Sequence, residues 1–364
     1  MEMNFKPVID KPKGQPLVIA GPCSAETEEQ VVGTAKALAG KGIDLFRSGI
    51  WKPRTRPGSF EGVGMEGLAW LKRVKEETGL KVTTEVASTQ HVFEALKYGV
   101  DVVWLGARTT VNPFSVQEVA DALKGVDIPV LVKNPINPDL KLWIGAIERI
   151  YKAGISRIGV IHRGFAYHGD SKYRNVPRWQ IPIELKRRFP DLQIIVDNSH
   201  ICGNRHMLLE IAQKAMDLNY DGIMSEVHPD PDNAWSDAAQ QVTPDEFGKI
   251  LSQIIYRKPT SDDPEYLEHI DHLRHEIDEI DEELLNLLGR RMEIADGIGR
   301  YKKRNNIAIL QTDRWNEILE RAIAKGRLKG LSPEFVKSIL RAIHQESINH
   351  QERVMNEKEV PSGK

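Results

Sequence analysis

Between Leu17 and about Val227, short apolar runs alternate with stretches of helical periodicity. The runs read LVIAG, IDLFR, KVTTEV, DVVWLGA, PVLVKN, RIGVIH, QIIVDN and GIMSEVH, and they are rich in Val and Ile. Near-continuous apolar runs suit strands that are buried on both faces of a parallel sheet. Eight of them, each followed by a helical pattern, predict an α/β fold, a (β/α)8 TIM barrel rather than an open doubly wound sheet. Chemistry in such barrels gathers where strands end and loops begin, so the residues just past each run carry the functional interest.

The pattern changes after Tyr256. RKPTSDDPEY has the Pro, Ser and Asp content of a linker, and the chain from Tyr266 to about Met355 is charged and helical, without a strand signal. The expected division is a barrel over residues 1–258, a linker over 259–265 and an all-α domain over 266–364. In the first long helix Leu273, Ile277, Ile280, Leu284, Leu287, Leu288 and Ile294 recur at helical spacing and form one apolar stripe. Two further helices are expected from Asp313 to about Lys325 and from Ser332 to about Met355, the last opening on a Ser cap followed by Pro. Three such helices enclose little core alone, so pairing with a second copy is expected.

The 364 residues are 40% hydrophobic and carry a formal net charge of −2. That balance argues against bulk attraction to nucleic acid or to an anionic membrane, so any basic function has to be local. No apolar run is long enough to span a bilayer, and MEMNFKPVID lacks the pattern of a cleaved leader. Cys23 and Cys202 are too few for a disulfide framework, and reduced thiols in the cytoplasm are the expected state.

Chemistry-bearing residues do collect past the strands. Cys23 follows the first run, His200 the seventh, and Glu226, His228 and Asp237 come from the eighth. Cys, His, Glu and Asp converging from three strand ends suit a divalent transition metal, although a buried thiol and a hydrogen-bonded imidazole account for them equally well. Cys202 reads as a packing residue. Cations recur at the same end: Arg47, then Lys52, Arg54 and Arg56 after the second run, Arg108 after the fourth, Lys133 after the fifth and Arg163 after the sixth. Arg binds phosphate or carboxylate at two points and Lys supplies a compact charge, so two anionic substrates beside one metal is the inference.

The motifs IAGPCS, KPRT, GAR, LVKN, VDNSH and SEVHPDPDNAWSD resemble, in order and in position, those of the type I 3-deoxy-D-arabino-heptulosonate 7-phosphate (DAHP) synthases. KPRT separates these from the 3-deoxy-octulosonate 8-phosphate synthases, which share the barrel. The resemblance implies a metal (manganese, iron, cobalt or zinc) on Cys23, His200, Glu226 and Asp237. It further implies phosphoenolpyruvate on Arg108, Lys133, Arg163 and Arg47, Lys52 between the substrates, and Arg54 and Thr55 facing erythrose 4-phosphate. The implied reaction joins carbon 3 of phosphoenolpyruvate to the aldehyde, adds water at carbon 2 and releases phosphate. Lys52 or a water on the metal is the proton donor, and Glu85 is expected to position the attacking water.

In the tail, Arg274, Arg291, Lys302, Arg314 and Gln351 stand out, and the 17- and 11-residue steps among the first three are read as placing them near one side of a helix. LRHEIDEIDEELLNLL, RRMEIA and SINHQ resemble the all-helical chorismate mutases. That resemblance implies a homodimer in which Arg274 and Arg291 bind the substrate carboxylates, one from each chain. Lys302 and Gln351 then face the ether oxygen, with Arg314 a further substrate contact. Gln311 and Trp315 depart from the family's usual Asp and Glu. The expected function is bifunctional, with feedback through the mutase part. The alternatives are an octulosonate-type condensing barrel and a tail that only senses ligand and dimerises.

Overall fold

The computed structural model describes residues 3–12, 14–52, 58 and 60–357, the side chains of 312 and 313 excepted. It divides into two compact units, Met1–Pro259 and Thr260–Lys364.

Eight strands build the first unit: β1 (Leu17–Gly21), β2 (Leu45–Arg47), β3 (Lys81–Val86), β4 (Val102–Leu105), β5 (Val130–Lys133), β6 (Ile158–His162), β7 (Gln193–Asp197) and β8 (Gly222–Glu226). They pair in sequence order, all parallel, and close into a barrel. The seam joins β1 to β8 in register from Leu17 opposite Gly222 to Gly21 opposite Glu226. Every apolar run named from the sequence contains one strand. β2 is shorter than its run, beginning at Leu45 rather than Ile43.

Alternation along the strands sorts the apolar side chains into two cores. Val18, Ala20, Phe46, Val103 and Val132 face outward into the layer between sheet and helices. Leu17, Ile19, Leu45, Val102, Trp104, Leu131, Ile161, Ile195 and Met224 fill the barrel interior, which Val8 from the N-terminal segment also joins. Helix starts are fixed by side chains that satisfy the first unpaired N–H groups. Thr27 accepts from Gln30 N, Asp139 accepts from Leu142 N, and Thr243 and Glu246 make a reciprocal box. Filling the interior this way leaves the strand C-terminal ends as the open face where polar side chains can gather.

The second unit has three helices, Pro264–Arg304, Thr312–Leu328 and Pro333–Asn356. The first is 41 residues long, yet only Met292, Ala295 and Gly299 are buried along it. Ile277, Ile280, Leu284 and Leu287 of the apolar stripe are all more than half exposed. The structure corrects one reading of this helix. Seventeen residues fall about 100° short of a whole number of turns, so Arg274 is rotated away from the side shared by Arg291 and Lys302.

Candidate functional site

At the open end of the barrel, Cys23, Glu226 and Asp237 bring one donor atom each to within 4.8 Å of one another. Cys23 sits two residues past β1 and Glu226 ends β8, so the seam between first and last strands sets them side by side. Asp237 reaches them from the following loop on a left-handed backbone, φ 50°. The Cys23 thiol donates to Asp237 Oδ2 at 3.3 Å, and burial pushes its pKa up to about 12. Burial opposes charge on Glu226 and Asp237 as well. There the attraction of neighbouring groups prevails: His200 and Arg47 hold Glu226 low, and Arg174 and His200 hold Asp237 low.

His200 stands beside this trio, outside its mutual 4.8 Å set. Its Nδ1 lies 2.9 Å from Asp197 Oδ2 and 3.7 Å from Glu226 Oε1. Neither contact is aligned as a hydrogen bond, and both His200 Nδ1 and Glu226 Oε1 are buried without one. Burial lowers the His200 pKa, which favours the neutral imidazole with a free lone pair. A thiol, two carboxylates and an imidazole, two of them with unsatisfied buried atoms, fit a divalent transition metal.

Cations surround the donors. Arg47 is 1% exposed. Its Nη2 reaches Cys23 O and Glu226 Oε1, both at 3.2 Å, while Nε and Nη1 have no hydrogen-bond partner. Lys52 Nζ lies 2.8 Å from Cys23 Sγ and 2.9 Å from Cys23 O; burial works against its charge, but Cys23 and Glu226 raise its pKa. Lys133 pairs with Asp197 at 3.0 Å. Arg163 donates to Asn175 Oδ1 at 2.6 Å, and burial brings its pKa down to about 10. Arg108 is exposed, in the short helix Ala107–Thr110 just past β4. Glu85, near the end of β3, accepts the indole N–H of Trp104 at 2.9 Å. Arg54 and Thr55, with Arg56, lie outside the described residues.

His228, given no role from sequence, is buried and faces Glu26 Oε2 at 3.2 Å; Glu26 Oε1 accepts Trp235 N at 2.8 Å. This pair ties the loop after β8 to that after β1. His162 lies 2.6 Å from Pro177 O and 3.0 Å from Tyr220 O–H. Cys202 is buried in the outer core, as a packing residue should be.

In the helical unit, Arg291 bonds Ser347 Oγ and Gln351 Nε2 donates to Ser347 O at 3.2 Å. Gln351 is 8% exposed and its Oε1 has no partner. Gly299 permits this contact, since a Cβ there would stand 3.1 Å from Gln351 Cα. Lys302 donates to Ile309 O, and burial lowers its pKa. Arg274 and Arg314 are exposed and pair with Asp271 at 3.4 Å and Glu317 at 2.6 Å on their own helices, so the described chain does not bring them to Gln351. Trp315 stacks on His344 at 4.0 Å; burial lowers the His344 pKa, and Arg291 and Lys302 add to that effect.

Residues 4–258 match the DAHP synthetase I family. The chain belongs to that family. Residues 273–352 match chorismate mutase type II, so the synthase barrel is followed by a mutase domain. Phospho-2-dehydro-3-deoxyheptonate aldolase of Thermotoga maritima is 30% identical over 237 residues, 65% of this chain and 68% of that protein. The crystal structure of the Thermotoga maritima DAHP synthase is 29% identical, with a TM-score of 0.60, covering 66% of this chain and 68% of the other. A 2-dehydro-3-deoxyphosphooctonate aldolase of Magnetococcus marinus is 29% identical over 259 residues, 65% of this chain and 85% of that protein. The chain is thus a bifunctional shikimate-pathway enzyme, a 3-deoxy-7-phosphoheptulonate synthase joined to a chorismate mutase.

Sequence reasoning missed four residues of these two sites. Arg174 donates to Asp237 Oδ1 at 3.0 Å and Gln240 Oε1 at 2.6 Å, and Gln240 Nε2 donates to Glu226 Oε2 at 2.6 Å. Asp197 anchors Lys133 and, through Oδ1, accepts His200 N at 3.1 Å. His344 in the mutase domain lies three residues before Ser347 and seven before Gln351, the spacing of one helical face, which is the signal that could have found it.

Proposed function

We propose that the synthase barrel condenses phosphoenolpyruvate with erythrose 4-phosphate in a metal-dependent reaction. The observation that carries this reading is Arg47, a buried guanidinium with two unpaired nitrogens set beside a four-residue donor group. Two unpaired nitrogens on a buried guanidinium match an anionic ligand that the protein itself does not supply. Cys23, His200, Glu226 and Asp237 would hold the metal, manganese, iron, cobalt or zinc, which supplies Lewis acidity toward the aldehyde oxygen.

Arg47, Arg108, Lys133 and Arg163 take the phosphate and carboxylate of phosphoenolpyruvate. Carbon 3 attacks the aldehyde carbon and water adds at carbon 2 to give an acyclic hemiketal phosphate. Its C2–O bond to phosphate then breaks, the added hydroxyl loses its proton to become the C2 ketone, and inorganic phosphate is released. Lys52, kept protonated beside Cys23 and Glu226, donates the proton to the alkoxide, and Glu85 holds the water. Arg54 and Thr55 contact the sugar phosphate in this reading, which rests on the KPRT motif. Because octulosonate-type relatives match over a similar span, the discriminating measurement is turnover with erythrose 4-phosphate against arabinose 5-phosphate. Preference for the five-carbon sugar would overturn the assignment. Chelation should stop the condensation and leave chorismate rearrangement intact.

For the mutase domain the proposal is a homodimer. It is supported by the exposed apolar stripe of the long helix and by the rotation of Arg274 away from Arg291. Arg291 and a second chain's arginine at position 274 bind the two carboxylates, Arg314 adds a substrate contact, and Lys302 and Gln351 face the ether oxygen. The pericyclic step needs no base, only a held chair conformer and stabilised charge on the ether oxygen. The Trp315–His344 stack occupies the place where the family generally has Glu, and turnover of chorismate by the full chain separates a working mutase from a sensing module. The fusion supports feedback by prephenate or chorismate as part of this reading, and unchanged synthase kinetics at saturating prephenate would remove it. A cytoplasmic location is supported by two unpaired, buried cysteines.

A further inference from the structure

Beneath the cations lies Trp104 of β4, 1% exposed, an indole among aliphatic and Met side chains in the barrel interior. A Leu or Met there would fill space as its neighbours do. An indole adds a π face and an N–H, and both are engaged. Arg47 Cζ lies 5.1 Å and Lys133 Nζ 5.6 Å from the ring centroid. The N–H donates to Glu85 Oε2 at 2.9 Å, and Glu85 is pressed close on its other side, since a Cβ on Gly106 would come within 2.1 Å of Oε1.

Carboxylates already hold one side of each cation, Glu226 at Arg47 Nη2 and Asp197 at Lys133 Nζ. The ring quadrupole attracts the same two cations without taking up a hydrogen-bond position on them. Arg47 Nε and Nη1 accordingly remain unpaired. We propose that Trp104 is a positioning residue for the condensation. Its face sets Arg47 and Lys133 for phosphoenolpyruvate, and its N–H aims Glu85 at the attacking water.

This inference rests on the reading that the cradle takes phosphoenolpyruvate, and the test separates the two. Trp104→Phe keeps a ring face and removes the N–H, whereas Trp104→Leu removes both. Phosphoenolpyruvate affinity by calorimetry and the steady-state constants are compared on full-length protein, with the thermal midpoint followed alongside. For Trp104→Phe the expected result is affinity within about twofold of wild type and a kcat about tenfold lower; for Trp104→Leu, affinity and KM for phosphoenolpyruvate are also about tenfold weaker. Wild-type protein that binds no phosphoenolpyruvate sinks the cradle reading. Wild-type binding with no difference between the Phe and Leu variants, or with full affinity in the Leu variant, overturns the role of Trp104 alone. Should the Leu variant fail to fold, the Phe variant decides: an unchanged kcat, or a loss of affinity matching the loss of kcat, overturns the proposal.

Discussion

Replacing Arg174 with Met should loosen the proposed metal site without touching a donor atom. Arg174 holds Asp237 directly and Glu226 through Gln240, so one guanidinium braces two of the four donors. Asp237 needs such a brace, because its left-handed backbone is a strained state for a residue with a Cβ, costing on the order of 1 kcal/mol. A hydrogen bond to a charged group contributes about 1.5–3 kcal/mol. The Arg174 side chain is 46% exposed, so solvent screening selects the lower end, about 1.5 kcal/mol, or roughly tenfold in an equilibrium constant. Loss of the Gln240 contact adds to this, within the roughly 10–100-fold range seen when outer partners of ligands are removed. Met keeps the aliphatic stem that fills the space against Gly203. The assay is calorimetric titration of manganese or cobalt into metal-free protein, with synthase activity measured as metal is raised. Weaker binding with activity restored at high metal is the expected outcome. Metal affinity within twofold of wild type would refute the bracing argument.

Lys302→Ala should lower chorismate consumption by at least about a hundredfold, the scale for removing one preorganised charge donor, while DAHP formation stays unchanged; full mutase activity would discard the assigned role. Burial lowers the His162 pKa to about 4 from an ordinary 6.5, so the unfolded chain binds the extra proton between those values and stability falls as pH drops through that window. His162→Gln should flatten that slope by up to about 3 kcal/mol, read as denaturant midpoints at pH 6.5 and 4.5, and an unchanged slope would count against it. Ile280→Glu with Leu284→Glu should convert a dimer to monomer in sedimentation, because both side chains lie on the exposed stripe. A dimer that survives both changes must use another surface.

The strands were legible because a parallel strand covered on both faces has little room for polar residues, and each of the eight runs contains one. The site was legible to the extent that its residues end strands or start loops: Cys23, Arg47, Lys133 and Glu226 are found there. Arg174 was hidden because it lies deep in the loop after β6, where surface Arg is common and nothing local marks its partner 63 residues on. Trp104 lies in the apolar run DVVWLGA and belongs to the core; only its two cation contacts and its N–H bond reveal more. Arg274 was placed on the wrong side by treating 17 residues as whole turns, which the unbroken 41-residue helix contradicts.

The seam between β1 and β8 has a consequence for how the enzyme comes into being. Cys23 N bonds Gln241 Oε1 at 3.0 Å across 218 residues, and Cys23 meets Glu226 only where the first strand pairs with the last. A nascent chain therefore carries its thiol for almost the whole synthesis of the barrel before any carboxylate arrives to join it. On the proposed metal reading the donors come together only when the ring is shut, so a bound ion would mark a finished barrel, and chains stalled before Glu226 would have no completed site to load.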